Sequence, residues 1–311
     1  MKLIIYSYLS NRRSVLGNIP TYNDLFSIFH PIRESRDTSV VSRQCSKSWG
    51  EISCQYHALQ NVRGYDYVGF ESAVRPIFVD FMLPERLLIE FTNIYALREK
   101  FARSWHVSHL SIQPDVLKEY EAMRIACDEA DTARFMRWLE RTDAVVPQFE
   151  NGSADRFRLT HLDETWELFT GIVRKIGIFQ SIPEVFFVSG FWPWYNSYIM
   201  RADLFETFAD AAFTAFFEFS ETYPNLSPYL IRFIFEKLLG VYLRYCAYEN
   251  ALFRQAGVPL LHVLPAEQPV SVPEGFDAEA YLGINIDVAA AGAPADGHYL
   301  GHGWREDRNW D

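Results

Sequence analysis

The hydrophobic and polar positions of this chain fall into short apolar runs that alternate with longer amphipathic stretches. The first run, KLIIYSYL, ends in Ser and Asn and predicts a buried strand followed by a polar loop. GEISCQYHALQNV predicts a helix, because its apolar side chains recur at helical spacing, at Ile52, Tyr56, Leu59 and Val62. YDYVGF then predicts a second strand, which ends at Gly69.

The middle of the chain is more polar. Residues 84–143 are rich in charged residues and keep a helical period, so they predict two long helices in an insertion or an outer layer. The first helix lies within LPERLLIEFTNIYALREKFARSW and the second within QPDVLKEYEAMRIACDEADTARFMRWLERTD. AVVPQ predicts a brief strand, and HLDETWELFTGIVRKI predicts a helix that ends near Gly177.

The most apolar segment, PEVFFVSGFWPWYNSYIM, predicts sheet, with VFFVS as a buried strand. DLFETFADAAFTAFFEFSETY predicts a long helix, in which Asp203 and Glu206 have the spacing of a capping box. Ser227 and Pro228 mark the start of a further helix that runs to about Asn250. LLHVL predicts a last strand.

The order of these elements indicates the fold. Strands that alternate with helices over residues 1–265 predict an α/β domain with a mainly parallel sheet flanked by helices. In such sheets, ligands bind at the carboxyl ends of the strands. A proline-rich linker, residues 266–275, precedes residues 276–311, which predict a separate small helical module.

Composition narrows the partners of the chain. Aromatic residues make up 16% of the 311 residues, which favours aromatic-lined pockets. The net charge of -11, without a dense basic stripe, argues against nucleic acid as a partner. The four cysteines form no CxxC pair, so a reducing cytoplasm fits best. Charges interrupt the oily stretch YLIRFIFEKLLGVYLRY, so we expect no transmembrane segment, while contact with the inner face of a membrane stays open.

Four motifs, in this order along the chain, resemble a bacterial family of capsule, exopolysaccharide and O-antigen glycosyltransferases that includes galactofuranosyltransferases. In the first motif, GEISCQYHALQN, the family pattern is matched by Glu51, Tyr56 and Asn61, and His57 stands where the family has Trp. The second motif departs further, since the family's His is replaced near Ser72 and its first Arg is missing. Its matching residues are Tyr67, Val68, Gly69 and Arg75.

The third motif, YNSYIM with the helix after it, is the best matched. Its matching residues are Tyr195, Asn196, Ile199, Met200 and Phe205. The fourth is Glu236, Lys237, Leu238 and Leu239, with Lys for Arg, and a looser pattern matches His161 and Trp166. The tail, FDAEAYLGINIDVAAAG followed by HYLGHGWREDR, resembles a short module appended to proteobacterial glycosyltransferases, for which we expect a docking or assembly role.

This resemblance covers residues 1–265, with residues 80–140 as a helical insertion, and implies a GT-A-like glycosyltransferase. It implies transfer of a sugar, galactofuranose in part of the family, from a UDP-sugar donor to a growing surface polysaccharide or a lipid-linked glycan. Glu236 is the implied catalytic residue, and the implied substrate-binding residues are Glu51, Tyr56, Arg75, His161, Tyr195, Asn196 and Lys237. The alternative is a non-catalytic glycan-binding or assembly module that retains the fold, which the altered second motif favours.

Asn196 and Glu236 are the polar residues whose positions need explaining. The Asn196 amide, next to Trp192, Trp194 and Tyr195, is suited to hold a sugar hydroxyl at the end of a strand; alternatively, it ties down loop backbone. Glu236 lies in a strongly apolar helix, where a carboxylate is costly unless it is paired or working. It is therefore either a general base or acceptor ligand, or the partner of an arginine one turn earlier, at position 232.

Two interpretations of the metal requirement stay open. No D-x-D motif occurs, so either Glu71 with the diphosphate holds a divalent metal, or Lys237 and Arg75 neutralise the diphosphate; we prefer the second reading. His106 and His109 lack further ligands, which disfavours a metal-dependent hydrolase. Asp203 precedes a helix, so capping is its expected role rather than catalysis.

Overall fold

A mixed β-sheet forms the centre of the computed structural model, which describes residues 2–9, 29–33, 52–72, 77, 91–103, 109–147, 162–188, 196–223, 228–263, 271–285, 288–289 and 291–303. The strands are β1 (Leu3–Leu9), β2 (Phe29–Arg33), β3 (Tyr67–Ser72), β4 (His109–Ile112), β5 (Ala144–Pro147), β6 (Tyr198–Arg201), β7 (Gln255–Val258) and β8 (Leu260–Val263). Six of them form the central sheet, in the order β2–β1–β3–β6–β5–β7.

Strand β6 makes the sheet mixed. It runs antiparallel to both of its neighbours, β3 and β5, whereas the pairs β1–β2, β1–β3 and β5–β7 are parallel. The predicted α/β fold is thus confirmed, and the sheet is mainly parallel as predicted, because five of its six strands run in one direction and only β6 runs against them.

Helices lie on both faces of this sheet. Among the described residues they are α1 (Ile52–Asn61), α2 (Thr92–Arg103), α3 (Pro114–Ala126), α4 (Glu129–Leu139), α5 (Leu162–Val173), α6 (Val185–Val188), α7 (Ala202–Thr222), α8 (Pro228–Glu249), α9 (Ala278–Ile284) and α10 (Ala295–His298). A 3₁₀ turn, Gly177–Ser181, follows α5, and a π turn, Tyr299–Gly303, follows α10. α8 begins at Pro228, as predicted, and its expected cap, Ser227, lies outside the described residues.

One face of the sheet carries the main core, which is rich in aromatic rings. Val68 and Phe70 of β3 pack there with α1, α5, α7 and α8. The Phe70 ring lies 5.1 Å from both the Tyr198 and the Phe205 rings, measured between centroids. Five phenylalanines of α7 are nearly inaccessible to solvent: Phe205, Phe208, Phe213, Phe216 and Phe219. Much of the aromatic content therefore stabilises the core, at roughly 2 to 3 kcal/mol for each fully buried ring, rather than lining a pocket.

The other face packs against α4 through Phe135 and Leu139. Gly69 lies in the middle of β3 and does not end it, which corrects the sequence-based boundary. A Cβ atom at this position would lie 2.9 Å from Cγ1 of Ile199 and 3.0 Å from Cγ1 of Ile5. Glycine is therefore needed here for the close packing of side chains from β1 and β6 over β3.

The described part of the segment 80–140, residues 91–103 and 109–140, contains three helices and also a strand, and its being an insertion stays a prediction. β4 pairs in parallel with β8, and this small sheet has its own core with α2 and α3. The second predicted helix is divided into α3 and α4 near Cys127. Asp128 caps α4 because its carboxylate accepts from the Asp131 N–H at 3.0 Å, and the Asp131 carboxylate accepts from the Asp128 N–H at 3.1 Å.

Two predictions around the apolar segment are wrong. VFFV is a single helical turn, α6, in which Val185 and Val188 are 61% and 72% exposed, so it is not a buried strand. Asp203 does not cap α7, because the cap position is Arg201. Instead, the Asp203 carboxylate accepts a hydrogen bond from Nε of Arg201 at 3.0 Å.

Residues 271–303 contain a small core of their own. Its buried members are Tyr281, Val288, Ala295 and Tyr299. Asp277 caps α9 by accepting from the N–H groups of Glu279 and Ala280. The small helical module expected at residues 276–311 stays a prediction.

Candidate functional site

The start of β6 lies at the same edge of the sheet as the carboxyl ends of the parallel strands. In the β3–β6 pair, Phe70 faces Tyr198, and continuing that register by two residues brings Asn196 level with Ser72, the last residue of β3. β1 ends nearby, because Tyr8 pairs with Ser72. We call this the carboxyl edge. Asn196 thus precedes a strand rather than ending one, yet it lies where α/β sheets bind ligands.

The Asn196 side chain meets Glu236 at the carboxyl edge. Its Nδ2 donates to Oε1 of Glu236 at 3.5 Å and to the main-chain oxygen of Arg232 at 3.4 Å. Asn196 and Glu236 are only 6% and 7% exposed. Both distances are longer than the usual range of about 2.7 to 3.2 Å, so these are weak hydrogen bonds that hold the amide next to the carboxylate. The fold therefore brings together two polar groups that stand 40 residues apart in sequence.

The aromatic face of Trp166 binds the ammonium group of Lys237. Nζ of Lys237 lies 4.2 Å from the ring centroid, and Lys237 is 5% exposed. The indole Nε1 donates to the carbonyl oxygen of Phe187 at 3.1 Å, which ties α5 to α6. The cation–π contact explains how a lysine is accommodated among the apolar residues of α8.

A carboxylate at the end of β3, Glu71, is engaged by an arginine. Both terminal nitrogens of Arg124, on α3, lie 3.4 Å from Oε1 of Glu71. The main-chain N–H of Ile77 donates to Oε2 at 3.4 Å. Glu71 directly follows Phe70 in β3, and successive side chains of a strand point to opposite faces of the sheet. The Glu71 side chain therefore lies on the face opposite to the main core, which contains Phe70.

Several residues of the expected site cannot be placed. Glu51, Arg75, His161 and Tyr195 lie outside the described residues, as do Trp192, Trp194 and His106. Tyr56 is described, and its ring packs edge-on against Phe213 and Phe217 of α7, with centroid distances of 5.1 and 5.4 Å. Of the expected site, the structure brings together Asn196, Glu236 and, on the same helix, Lys237.

The opposite edge of the sheet is fastened by a cluster of charges around Asp143. Its carboxylate pairs with Arg201 at 3.1 Å and with Arg254 at 3.4 Å, and it accepts from the Arg254 N–H at 2.8 Å. Burial raises the pKa of Asp143, but these hydrogen bonds from Arg254 and Arg201 outweigh burial and hold its pKa below the usual range. Asp203 belongs to this cluster through Arg201, far along β6 from Asn196.

Within the part of the chain that the structure describes, no group of side chains could serve as the ligands of a metal ion. No three His, Cys, Asp or Glu side chains there lie close enough to hold an ion. Glu71, the carboxylate considered for this role, is ion-paired with Arg124.

Two residues at the carboxyl edge were missed as site candidates by sequence reasoning. Arg124 lies in a segment treated as an insertion, and only the fold brings it to Glu71. Gln55 is buried on α1, where its side-chain oxygen accepts a hydrogen bond from the Tyr198 hydroxyl. An amide at the centre of an otherwise apolar helix face was the available signal for Gln55.

Within the described residues, the helices are all too short or too polar to cross a membrane.

Comparisons with known proteins support the fold of the chain. No protein-family model and no curated protein sequence matches it. Among solved structures, the chain is similar to the apo structure of the WbbM bifunctional glycosyltransferase, with a TM-score of 0.59 and 14% identity. The match covers 87% of this chain and 48% of that one, so this chain spans about half the length of that protein. The chain has a glycosyltransferase-like fold.

Proposed function

We propose that this chain is a glycosyltransferase that moves a sugar from a UDP-sugar donor to a growing surface polysaccharide or a lipid-linked glycan. The observation that carries the proposal is the buried Asn196–Glu236 pair at the carboxyl edge of a glycosyltransferase-like fold. Galactofuranose is our proposed donor sugar, supported by the motif resemblance. The GT-A class is part of the same proposal.

Each member of the pair has a distinct role in this proposal. Glu236 accepts the proton of the acceptor hydroxyl as that oxygen attacks the anomeric carbon of the donor. The bond between the anomeric carbon and the phosphate oxygen breaks, and UDP leaves with its electron pair. Asn196 binds a donor hydroxyl, since one amide can both donate to and accept from it. Its hydrogen bond to Glu236 keeps the two roles at adjacent positions.

Glu51, Tyr56, Arg75, His161 and Tyr195 remain proposed substrate ligands, on the strength of the motifs. For Lys237 we propose a structural role in place of substrate binding. Its ammonium group lies on the Trp166 ring, so we propose that it fixes α5 against α8 behind the pair. A group other than Lys237 must then balance the negative charge of the diphosphate.

Release of UDP from UDP-galactofuranose, with short oligosaccharides as acceptors, tests the proposal. We expect turnover by the wild-type chain and slower turnover with UDP-galactopyranose. Calorimetry with UDP separates the alternative function, because a non-catalytic glycan-binding module would bind oligosaccharides without binding UDP. A chain that neither binds UDP nor releases it from any UDP-sugar is not the proposed enzyme.

A further inference from the structure

A second polar site lies on the other face of the carboxyl edge. Glu71 is the penultimate residue of β3, and Arg124 reaches it from the last turn of α3. Their side chains are 8% and 14% exposed, so the ion pair is largely shielded from water but not sealed. The guanidinium group of Arg124 therefore lies at the carboxyl edge, on the face of the sheet opposite to Asn196.

Neighbouring groups hold Arg124 in a fixed position. Its guanidinium carbon lies 5.5 Å from the centroid of the Tyr120 ring. The Tyr120 hydroxyl donates to the main-chain oxygen of Ile77 at 2.8 Å, and the N–H of Ile77 donates to Glu71. Arg124, Tyr120, Ile77 and Glu71 are thus linked to one another by these contacts. Such support keeps the orientation of a binding group from varying, which lowers the entropy cost of binding a ligand.

We propose that Arg124 binds the diphosphate of the nucleotide-sugar donor and that Glu71 orients its guanidinium. The inference rests on the proposed function. A guanidinium offers a planar fork of N–H donors that matches two phosphate oxygens at once. The formal net charge of the chain is -11, so a diphosphate needs a local cation to overcome the overall repulsion.

The chemistry of the two faces also suits the two parts of the donor. Asn196 and Glu236, on one face of the edge, offer an amide and a carboxylate, which suit sugar hydroxyls. Arg124 offers positive charge on the other face. A nucleotide sugar lying across the edge therefore places its sugar at the first face and its diphosphate at the second. Lys237 does not compete for the diphosphate, because its ammonium group packs on Trp166.

Calorimetry with UDP and with uridine tests the assignment, because only UDP carries the diphosphate. We expect R124Q to weaken UDP binding at least tenfold while changing uridine binding less than twofold, and R124K to give an intermediate loss. The matched control is R134Q, since Arg134 is 46% exposed and pairs with Asp131 at 3.1 Å on the neighbouring helix α4. R134Q should bind both probes as the wild type does.

A second variant protects the test from misfolding. R124Q leaves a buried carboxylate without its cation, which is destabilising, whereas E71Q/R124Q removes both charges together. The double variant should keep a near-wild-type melting temperature and show the same selective loss of UDP binding. The assignment is overturned if either variant binds UDP as tightly as the wild type, or loses UDP and uridine binding in equal proportion. Failure of the wild type to bind UDP would instead contradict the proposed function, and the inference would fall with it.

Discussion

At the scale of single residues, the contact of Asn196 with Glu236 explains why a polar side chain occurs in an apolar segment. Ser197, Tyr198, Ile199 and Met200, which follow it, are all buried, and the Asn196 amide is directed to Glu236 rather than into the core. The motif resemblance predicted that these two residues share a site, because motifs matched to one family site should converge, and each also stands out as a polar residue in apolar surroundings. Arg124 could not be found in this way, since it is one of many charged residues in a polar segment, and 53 residues separate it from Glu71.

Replacing Asn196 with alanine should slow transfer with little loss of stability. The lost contacts are long hydrogen bonds, worth about 1 kcal/mol or less to folding. Loss of a polar contact in the transition state should lower kcat/KM by roughly ten- to a thousand-fold, or about 1.4 to 4 kcal/mol. Turnover and thermal unfolding are measured on the same protein, with N250A, at the exposed residue just after α8, as the control. A destabilised N196A with normal specific activity would show that the amide serves folding alone.

At the scale of elements, hydrophobic periodicity predicted the long helices and five strands, including the short β5 and β8, but it missed β2, β4, β7 and the helical turn α6. α7 and α8 are long enough for their pattern to be decisive, and β3 is a clear apolar run. VFFV is as apolar as a strand, but it forms one helical turn against Trp166, which only tertiary packing decides. The direction of β6 is likewise not encoded locally, because it depends on the path between α6 and α7.

Replacing Lys237 with methionine tests whether the lysine serves packing or the diphosphate. The variant loses a cation–π contact worth about 0.5 to 2 kcal/mol, and the removal of a buried charge offsets part of that loss. We expect the free energy of unfolding to fall by no more than about 2 kcal/mol and UDP affinity to stay unchanged. Denaturant unfolding and calorimetry provide the two values. A large loss of UDP affinity in a stable K237M protein would place the ammonium group in the donor site.

The Asp143 cluster should make the stability of the sheet depend on pH. Because hydrogen bonds depress the folded-state pKa of Asp143, its stabilising effect is complete above its unfolded pKa, about 3.9, and is lost as the pH falls through the folded value. At pH 7, D143N should lower the free energy of unfolding by about 1.5 to 3 kcal/mol. The difference between wild type and D143N should shrink on acidification. D210N, which changes an exposed aspartate of α7, is the control, and a difference that stays constant with pH would contradict this role.

At the scale of the whole molecule, the fold and the position of the site follow from the same sheet. Ion pairs around Asp143 link the strands at one edge of the sheet, and the opposite, carboxyl edge carries Asn196, Glu236, Glu71 and Arg124. The α/β class could be predicted from the alternation of elements. The two-faced site could not, because it depends on which strands become neighbours.

Removing the C-terminal module should leave the rest of the chain folded. The buried core of residues 271–303 is formed by its own members, among them Tyr281 and Tyr299. A chain ending at residue 270 should therefore melt within about 4 °C of the full chain, equivalent to about 1 kcal/mol, and should bind UDP as before. A chain that aggregates or melts much earlier would show that the module is part of the main fold.

Turnover by an E236Q variant tests the central claim most directly. Glutamine keeps the shape of the side chain and an oxygen that can accept from Asn196, but it cannot accept the acceptor proton at neutral pH. We expect UDP release to fall by about a hundred- to ten-thousand-fold with UDP binding unchanged, while E249Q, at the exposed end of the same helix, turns over as the wild type does. Full turnover by E236Q would contradict the account, as would a wild-type chain that releases no UDP from any UDP-sugar.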